Sequence, residues 1–200
     1  TEVNRLLGDD NLRKNFSANA LHKISPTAWE NSAIGHAKLF EKVASNDLKL
    51  EYKIPEINLE HIKKLTTDFG MLQFSVINQP DINSGYTIDD NARALVAMCE
   101  FYELNNDDSD LEYIKIYLDY LVYCLQEDGS FLNYVDKNKN FTTQNFTENL
   151  EDSNGRGIWA LGYLISLSSI LPVEVVEKAK FAFDRSVFNI HKLHSTRAMA

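Results

Sequence analysis

Apolar residues recur at helical intervals near the start of the chain, separated by polar and charged positions. Leu12, Phe16 and Ala20 lie four residues apart, which predicts an amphipathic helix over about 10–23. Pro26 suits the first turn of a second helix, where its missing N–H costs nothing, and this helix is predicted to end near Ala44. The apolar stripe of the second helix consists of Trp29, Ala33, Ala37 and Phe40.

Residues 46–58 are charged, contain a proline and lack a helical period, so they are predicted to be a linker or domain boundary. After residue 58, helical patterns alternate with loops, and strand signals are nearly absent. Gly70 is expected to end the first of these helices. The predicted helices cover about 59–69, 90–104, 110–126, 153–170 and 172–190, with a further start near Ser195. This order of elements predicts an all-α fold of helical hairpins.

Three of the helix starts share one pattern, reading DNARAL at 90–95, SNGRGI at 153–158 and HSTRAM at 194–199. In each, an arginine follows short polar residues that can cap a helix, and a small residue and an apolar residue come next. The small residue lets the helix approach a neighbour closely, and the apolar runs that follow indicate burial on most sides. The arginines are Arg93, Arg156 and Arg197.

Buried helices that alternate with more charged ones are typical of an α/α toroid, a ring of inner and outer helices. The helices over 110–126 and 172–190 carry more charge and are predicted to be outer helices. In a toroid the starts of the inner helices, and the loops before them, meet at one end around a central cleft. The sequence therefore predicts a partial toroid over 59–200 with a cleft beside the repeated starts.

Carboxylates and aromatic residues are concentrated around these starts. Such a combination is typical of sugar sites, where one carboxyl of raised pKa acts as an acid and another as base or nucleophile. The catalytic candidates are Asp89, Asp90, Glu151 and Asp152. The candidate substrate-binding residues are Tyr86, Asn91, Arg93, Asn154, Arg156, Trp159 and Arg197. A structural interpretation competes for each acid, since carboxylates also cap helices and pair with arginines.

Composition and charge narrow the possible partners. Apolar residues make up 44% of the chain and charged residues 24%, which excludes a disordered or collagen-like protein. The net charge of −9, without a basic stripe, argues against nucleic acid, and no apolar run approaches the length of a membrane span. Cys99 and Cys124 form neither a disulfide framework nor a zinc spacing, which favours a reducing, cytoplasmic compartment.

No metal or cofactor is expected from the sequence. His191 and His194 have a spacing that suits a metal on a helix, but no third ligand is evident. The acidic run at 107–110 lacks the glycine and the distal glutamate of an EF-hand loop. Neither a phosphate-binding loop nor a serine nucleophile elbow occurs.

The longer motifs GYTIDDNARAL at 85–95 and EDSNGRGIWALG at 151–162, followed by STRAMA at 195–200, resemble those of an uncharacterised helical domain of bacterial carbohydrate loci. That domain is similar to the six-hairpin glycosidase superfamily, so the resemblance implies an (α/α)6 toroid. The turn LQEDGSF at 125–131 also resembles the Q-x-D-G-S-aromatic turn common in α/α toroids.

Residues 6–43 are similar to the closing helices of GT-B glycosyltransferases of the family-4 type, with Trp29 and Phe40 at aromatic positions of that pattern. The donor-binding glutamate motif of those enzymes lies upstream and is absent here, so a nucleotide-sugar is expected to bind only to a preceding domain. The implied organisation is a glycosyltransferase tail over 1–45, a linker over 46–58 and a truncated toroid over 59–200.

The sequence thus leads us to expect part of a bacterial glycosyltransferase-associated protein whose toroid region acts on or binds carbohydrate. Whether this region is an enzyme stays open. One alternative is a non-catalytic sugar-binding or scaffolding module of a glycosyltransferase, and another is a helical-repeat protein-interaction domain. Exposed apolar inner helices of an incomplete ring would also favour a homo-oligomer.

Overall fold

The chain divides into two compact units, Thr1–Glu56 and Ile57–Ala200. Their boundary falls within the predicted linker, of which residues 46–55 lie outside the described part of the chain. The computed structural model describes residues 2–24, 29–43 and 56–198.

The described residues of the first unit form the helices α1 (Glu2–Gly8), α2 (Asp10–Ile24) and α3 (Trp29–Val43). The two helices predicted near the start of the chain correspond to α2 and α3. Asp9 caps α2, because its Oδ1 accepts a hydrogen bond of 2.9 Å from the Leu12 N–H. Pro26 and Ala44, the predicted limits of the second helix, lie outside the described residues.

The second unit has a helix in each region where one was predicted between residues 59 and 190. These helices are α4 (Glu60–Leu65), α5 (Ile88–Asn105), α6 (Leu111–Cys124), α7 (Glu151–Ser166) and α8 (Val173–Ser186). The mostly helical content confirms the predicted all-α class. Short 3-10 helices lie at Ile82–Ser84, Asp108–Asp110, Thr143–Phe146 and Val187–Lys192.

Helix α4 ends at Leu65, earlier than predicted. Thr66 has an extended backbone, and its Oγ1 bonds back to the Ile62 carbonyl at 2.7 Å. Gly70 therefore does not end the helix, contrary to expectation. It lies in the turn after α4, where a Cβ atom would come within 2.8 Å of Asn91 Oδ1.

In the ranges that the structure describes, four strands of two residues each accompany the helices. They are β1 (Ser75–Val76), β2 (Gln79–Pro80), β3 (Tyr86–Thr87) and β4 (Tyr134–Val135). Strands β1 and β2 form a hairpin, and β3 pairs antiparallel with β4, which joins the loop before α5 to the loop after α6. Strands this short leave no alternating pattern in the sequence.

The core of the second unit lies between the helices. Helix α5 packs against α6 and α7, and α8 packs against α7. No helix of the described residues has the length and hydrophobicity needed to cross a bilayer. The large, fully buried core side chains include Leu95, Met98, Ile114, Tyr117, Leu121, Leu161 and Leu164.

Candidate functional site

Helices α5 and α7 lie side by side and run in the same direction. Near their first turns, Arg156 Nε of α7 lies 2.9 Å from Asp89 Oδ1 of α5. Nearer their ends the two helices are still packed together, and Tyr163 of α7 lies close enough to Glu100 and Glu103 of α5 that their charges, after burial, raise its pKa. The starts of the two helices therefore meet at one end of the second unit.

Asn91 and Asn154 make the same three hydrogen bonds at the starts of these two helices. Asn91 Oδ1 accepts from the Met71 N–H at 2.7 Å, and its amide donates to Met71 O at 3.1 Å and to the carbonyl four residues earlier at 2.8 Å. Asn154 repeats this pattern with Phe131, at 2.8, 3.0 and 2.9 Å. We call the two arrangements the Asn clamps. Both side chains are buried, so they fix a turn against a helix and are not open to a ligand.

Asp90 is held by the cap of α5. Thr87 Oγ1 accepts from the Asp90 N–H at 3.2 Å and donates to Asp90 Oδ2 at 2.6 Å, while Asp90 Oδ1 lies 3.1 Å from Arg93 Nη1. Sequence analysis missed Thr87, although Thr-x-x-Asp before an apolar run is a capping-box pattern that reveals it. The carboxylate thus has partners that stabilise the helix start.

Glu151 ties the third repeated start to α7. Its carboxylate accepts hydrogen bonds from the backbone N–H groups of His194 and Ser195, the second at 2.6 Å. These two bonds lower the pKa of Glu151 below its ordinary value of 4.5. Because a general acid at neutral pH needs a raised pKa, this carboxylate is suited to anchoring a backbone and not to donating a proton.

Acidification will release this anchor. A carboxyl with a lowered pKa stabilises the fold at pH values above 4.5, and that contribution is lost as the pH falls through the lower, folded-state value. We expect the Ser195 amide resonance in an NMR titration to shift with an inflection below pH 4.5. In Glu151→Gln the same resonance will show no such inflection. An inflection at or above 4.5 in the unmodified protein would contradict the assignment.

Aspartates of one helix start meet arginines of the next. Arg156 of the second start contacts Asp89 of the first, and Arg197 Nη1 of the third lies 3.8 Å from Asp152 Oδ2 of the second. Asp89 and Asp152 are equivalent, since each lies four residues before the arginine of its own start. Arg93 completes the row through a 3.7 Å contact with Asp89. We call these five residues the Asp–Arg ladder.

The two contacts between successive helix starts differ in how far their charged groups are exposed to solvent. In the first, the Arg156 Nε and Asp89 Oδ1 atoms are buried and form an ion pair with each other. Neither atom makes a hydrogen bond to any described residue. In the second, the Arg197 side chain is 81% exposed, and Asp152 Oδ1 accepts a 2.5 Å hydrogen bond from Ser195 Oγ. A cavity of about 360 Å³ opens at this second contact. It is lined by Asn149, Asp152, Ser195, Thr196 and Arg197.

Trp159 extends the polar groups of α7 with an aromatic surface. Asp152, Arg156 and Trp159 follow one another at intervals of four and three residues, which places them on one face of the helix. The Trp159 side chain is 51% exposed. Tyr86, in contrast, is only 3% exposed and packs edge-on against Phe69 at 5.1 Å, so it is not open to a ligand.

The site therefore offers charged side chains, amide and hydroxyl groups and one indole. Within the described ranges, no three His, Cys, Asp or Glu side chains are grouped so that they could hold a metal ion. Ser195 and Asn149 were missed by sequence analysis, because their roles depend on how the third start packs against α7.

No family model matches the chain, and no curated protein matches it. The site itself combines the Asp–Arg ladder, the cavity beside Arg197 and the exposed indole of Trp159.

Proposed function

We propose that the second unit binds carbohydrate at the end where the repeated helix starts meet. The observation that carries this proposal is the open face of α7, where ladder residues lie within two turns of the half-exposed Trp159. Hydroxyl groups of a sugar bond well to carboxylate and guanidinium groups, and the apolar face of its ring stacks on an indole. A concave surface with a few convergent polar groups and an aromatic side chain fits such a ligand.

The partners of the candidate carboxylates favour binding over hydrolysis. Asp89 and Asp152 contact arginines, Asp90 belongs to a helix cap and Glu151 anchors two backbone N–H groups. A glycosidase uses one acid of raised pKa and a second carboxyl facing it across the sugar. Catalysis is therefore our second candidate. If the protein hydrolyses a glycoside and both Asp90→Asn and Glu151→Gln abolish this activity, catalysis becomes the first candidate.

We further propose that this unit is part of an α/α toroid in a glycosyltransferase-associated protein, possessing no nucleotide-sugar site of its own. Parallel α5 and α7, joined through α6, support the toroid. A cytoplasmic setting is supported by the buried, unpaired thiols of Cys99 and Cys124.

Removal of the indole will test carbohydrate binding. We expect Trp159→Ala to weaken the binding of an oligosaccharide by about tenfold or more, since truncating a stacked aromatic side chain at a binding site costs upwards of about 1.4 kcal/mol. A glycan array followed by calorimetry on the full chain measures this. Phe188→Ala is the matched control, because Phe188 is 76% exposed but lies outside the α7 face. Equal losses in both variants, or no binding to any glycan, would contradict the proposal.

A further inference from the structure

We infer that the open contact between Asp152 and Arg197 is a subsite for a neutral sugar ring, of which it holds two adjacent hydroxyl groups. This inference rests on the proposed function and deepens it by naming the charge of the ligand and the groups that grip it. It is carried by the comparison of two equivalent contacts in one molecule, one closed and one open.

In the closed contact the charged atoms of the two side chains meet directly. Arg156 and Asp89 approach to 2.9 Å, and the Arg156 side chain is 26% exposed. At the equivalent Arg197 and Asp152 the separation is 3.8 Å, beyond hydrogen-bond distance, and a cavity of about 360 Å³ lies beside them. The charged atoms of the first pair are thus buried in contact with each other, while the second pair is separated and has a cavity beside it.

The atoms that remain available match a diol. Asp152 Oδ1 is occupied by Ser195 Oγ, which leaves Oδ2 as the acceptor that faces Arg197. One hydroxyl of a sugar ring can donate to Asp152 Oδ2 while its neighbour accepts from Arg197 Nη1. Hydrogen bonds to ionised partners are stronger than those between neutral groups, so this pair supplies both affinity and orientation.

The charge of the cavity favours a neutral ligand. Its lining contains one guanidinium and one carboxylate, and the other groups are the amide of Asn149 and the hydroxyls of Ser195 and Thr196. Glu151, which accepts from the Ser195 N–H, adds a further negative charge next to it. The chain as a whole carries a net charge of −9. An acidic sugar would be attracted by Arg197 but repelled by Asp152, by Glu151 and by the net negative charge, so repulsion outweighs attraction.

The distance to Trp159 indicates a ligand longer than one ring. Seven residues separate Asp152 from Trp159, which is about 10 Å along the helix axis. A saccharide that touches both the open contact and the indole must span this length. The subsite therefore belongs to an oligosaccharide site.

Calorimetry on the full chain with defined tetrasaccharides tests the inference. The neutral probes are tetrasaccharides of glucose, mannose, galactose and xylose. The effect of charge is tested by comparing tetragalacturonate with its uncharged methyl ester. We expect Arg197→Gln and Asp152→Asn each to weaken the binding of a neutral probe by about tenfold. The double variant will be little worse than either single variant, because both side chains hold the same ring. Lys115→Gln, which removes one positive charge from α6, will leave the affinity unchanged.

Each outcome decides between the two proposals. If a probe binds and depends on Trp159, but Arg197→Gln and Asp152→Asn leave its affinity within about twofold, the subsite is wrong and carbohydrate binding stands. A preference of about tenfold or more for the free acid over its methyl ester overturns the neutral ligand. If no tetrasaccharide binds, the proposed function fails and the subsite with it. Arg197→Gln keeps the test valid for folding, since that side chain is 81% exposed.

Discussion

Replacing Asn154 with alanine will lower the free energy of unfolding of the second unit by about 3–4 kcal/mol. Asn154 is the sole hydrogen-bond partner described for the Phe131 N–H and C=O. The backbone bonds on either side, from Gln126 to Ser130 and from Leu132 to Cys124, bypass Phe131 itself. Because Phe131 is fully buried, its two backbone groups would lose their partners with no water to replace them.

Urea unfolding monitored by the fluorescence of Trp159 measures this loss. All variants carry Trp29→Phe, so that Trp159 is the one tryptophan that contributes to the signal. Ser153→Ala is the matched control. Ser153 Oγ donates to Leu150 O, which also accepts from the Asn154 N–H, so its loss will cost less than about 1 kcal/mol. Asn91→Ala will lower the free energy of unfolding by less than Asn154→Ala, because its clamp has the same geometry but holds Met71, which is only partly buried. A loss in Asn154→Ala no larger than that in Ser153→Ala would refute the role of the clamp.

The second large effect is expected at Gly129, in the turn after α6. Its φ is +80°, and a Cβ atom there would overlap the Arg185 carbonyl and lie 2.9 Å from Asn189 Nδ2. Gly129→Ala will therefore cost about 3 kcal/mol, from the left-handed backbone and from displacement of a neighbouring backbone segment.

Gly162→Ala is the control for this substitution, since it lies in α7 of the same unit. Its Cβ would make an ordinary 3.5 Å contact with Phe183. Alanine also favours a helix over glycine, so this variant will unfold at the same or a higher urea concentration. If both variants unfold at the same urea midpoint, backbone geometry at Gly129 is not limiting.

Helices and their starts could be predicted because their signals are local. The apolar period over 90–104 and the repeated Arg-small-apolar pattern require no knowledge of the rest of the chain. The end of α4 could not be predicted in this way. Residues 66–69 follow a helical run, but Thr66 bonds to Ile62 O and Tyr117 Oη, a partner 51 residues away.

The sequence names the charged residues at the helix starts but not the pairs that they form. The ladder residues were named from the sequence, but which aspartate meets which arginine depends on how successive starts pack. Asn91 and Asn154 looked like ligand-binding residues because they are polar and lie in a motif. Their burial is set by turns that lie 20 and 23 residues earlier, and nothing in the motif reveals that contact.

Those two spacings have a consequence for how such a chain can vary. The clamps keep the same hydrogen bonds although the segments that they enclose differ in length. Insertions or deletions between a turn and its asparagine therefore change the length of the loop, while the Asn clamp keeps its geometry. The segment between Phe131 and Asn154 can thus be exchanged while the clamp keeps its hydrogen bonds, and a graft between Asp136 and Asn140 should leave the packing of the helices unchanged.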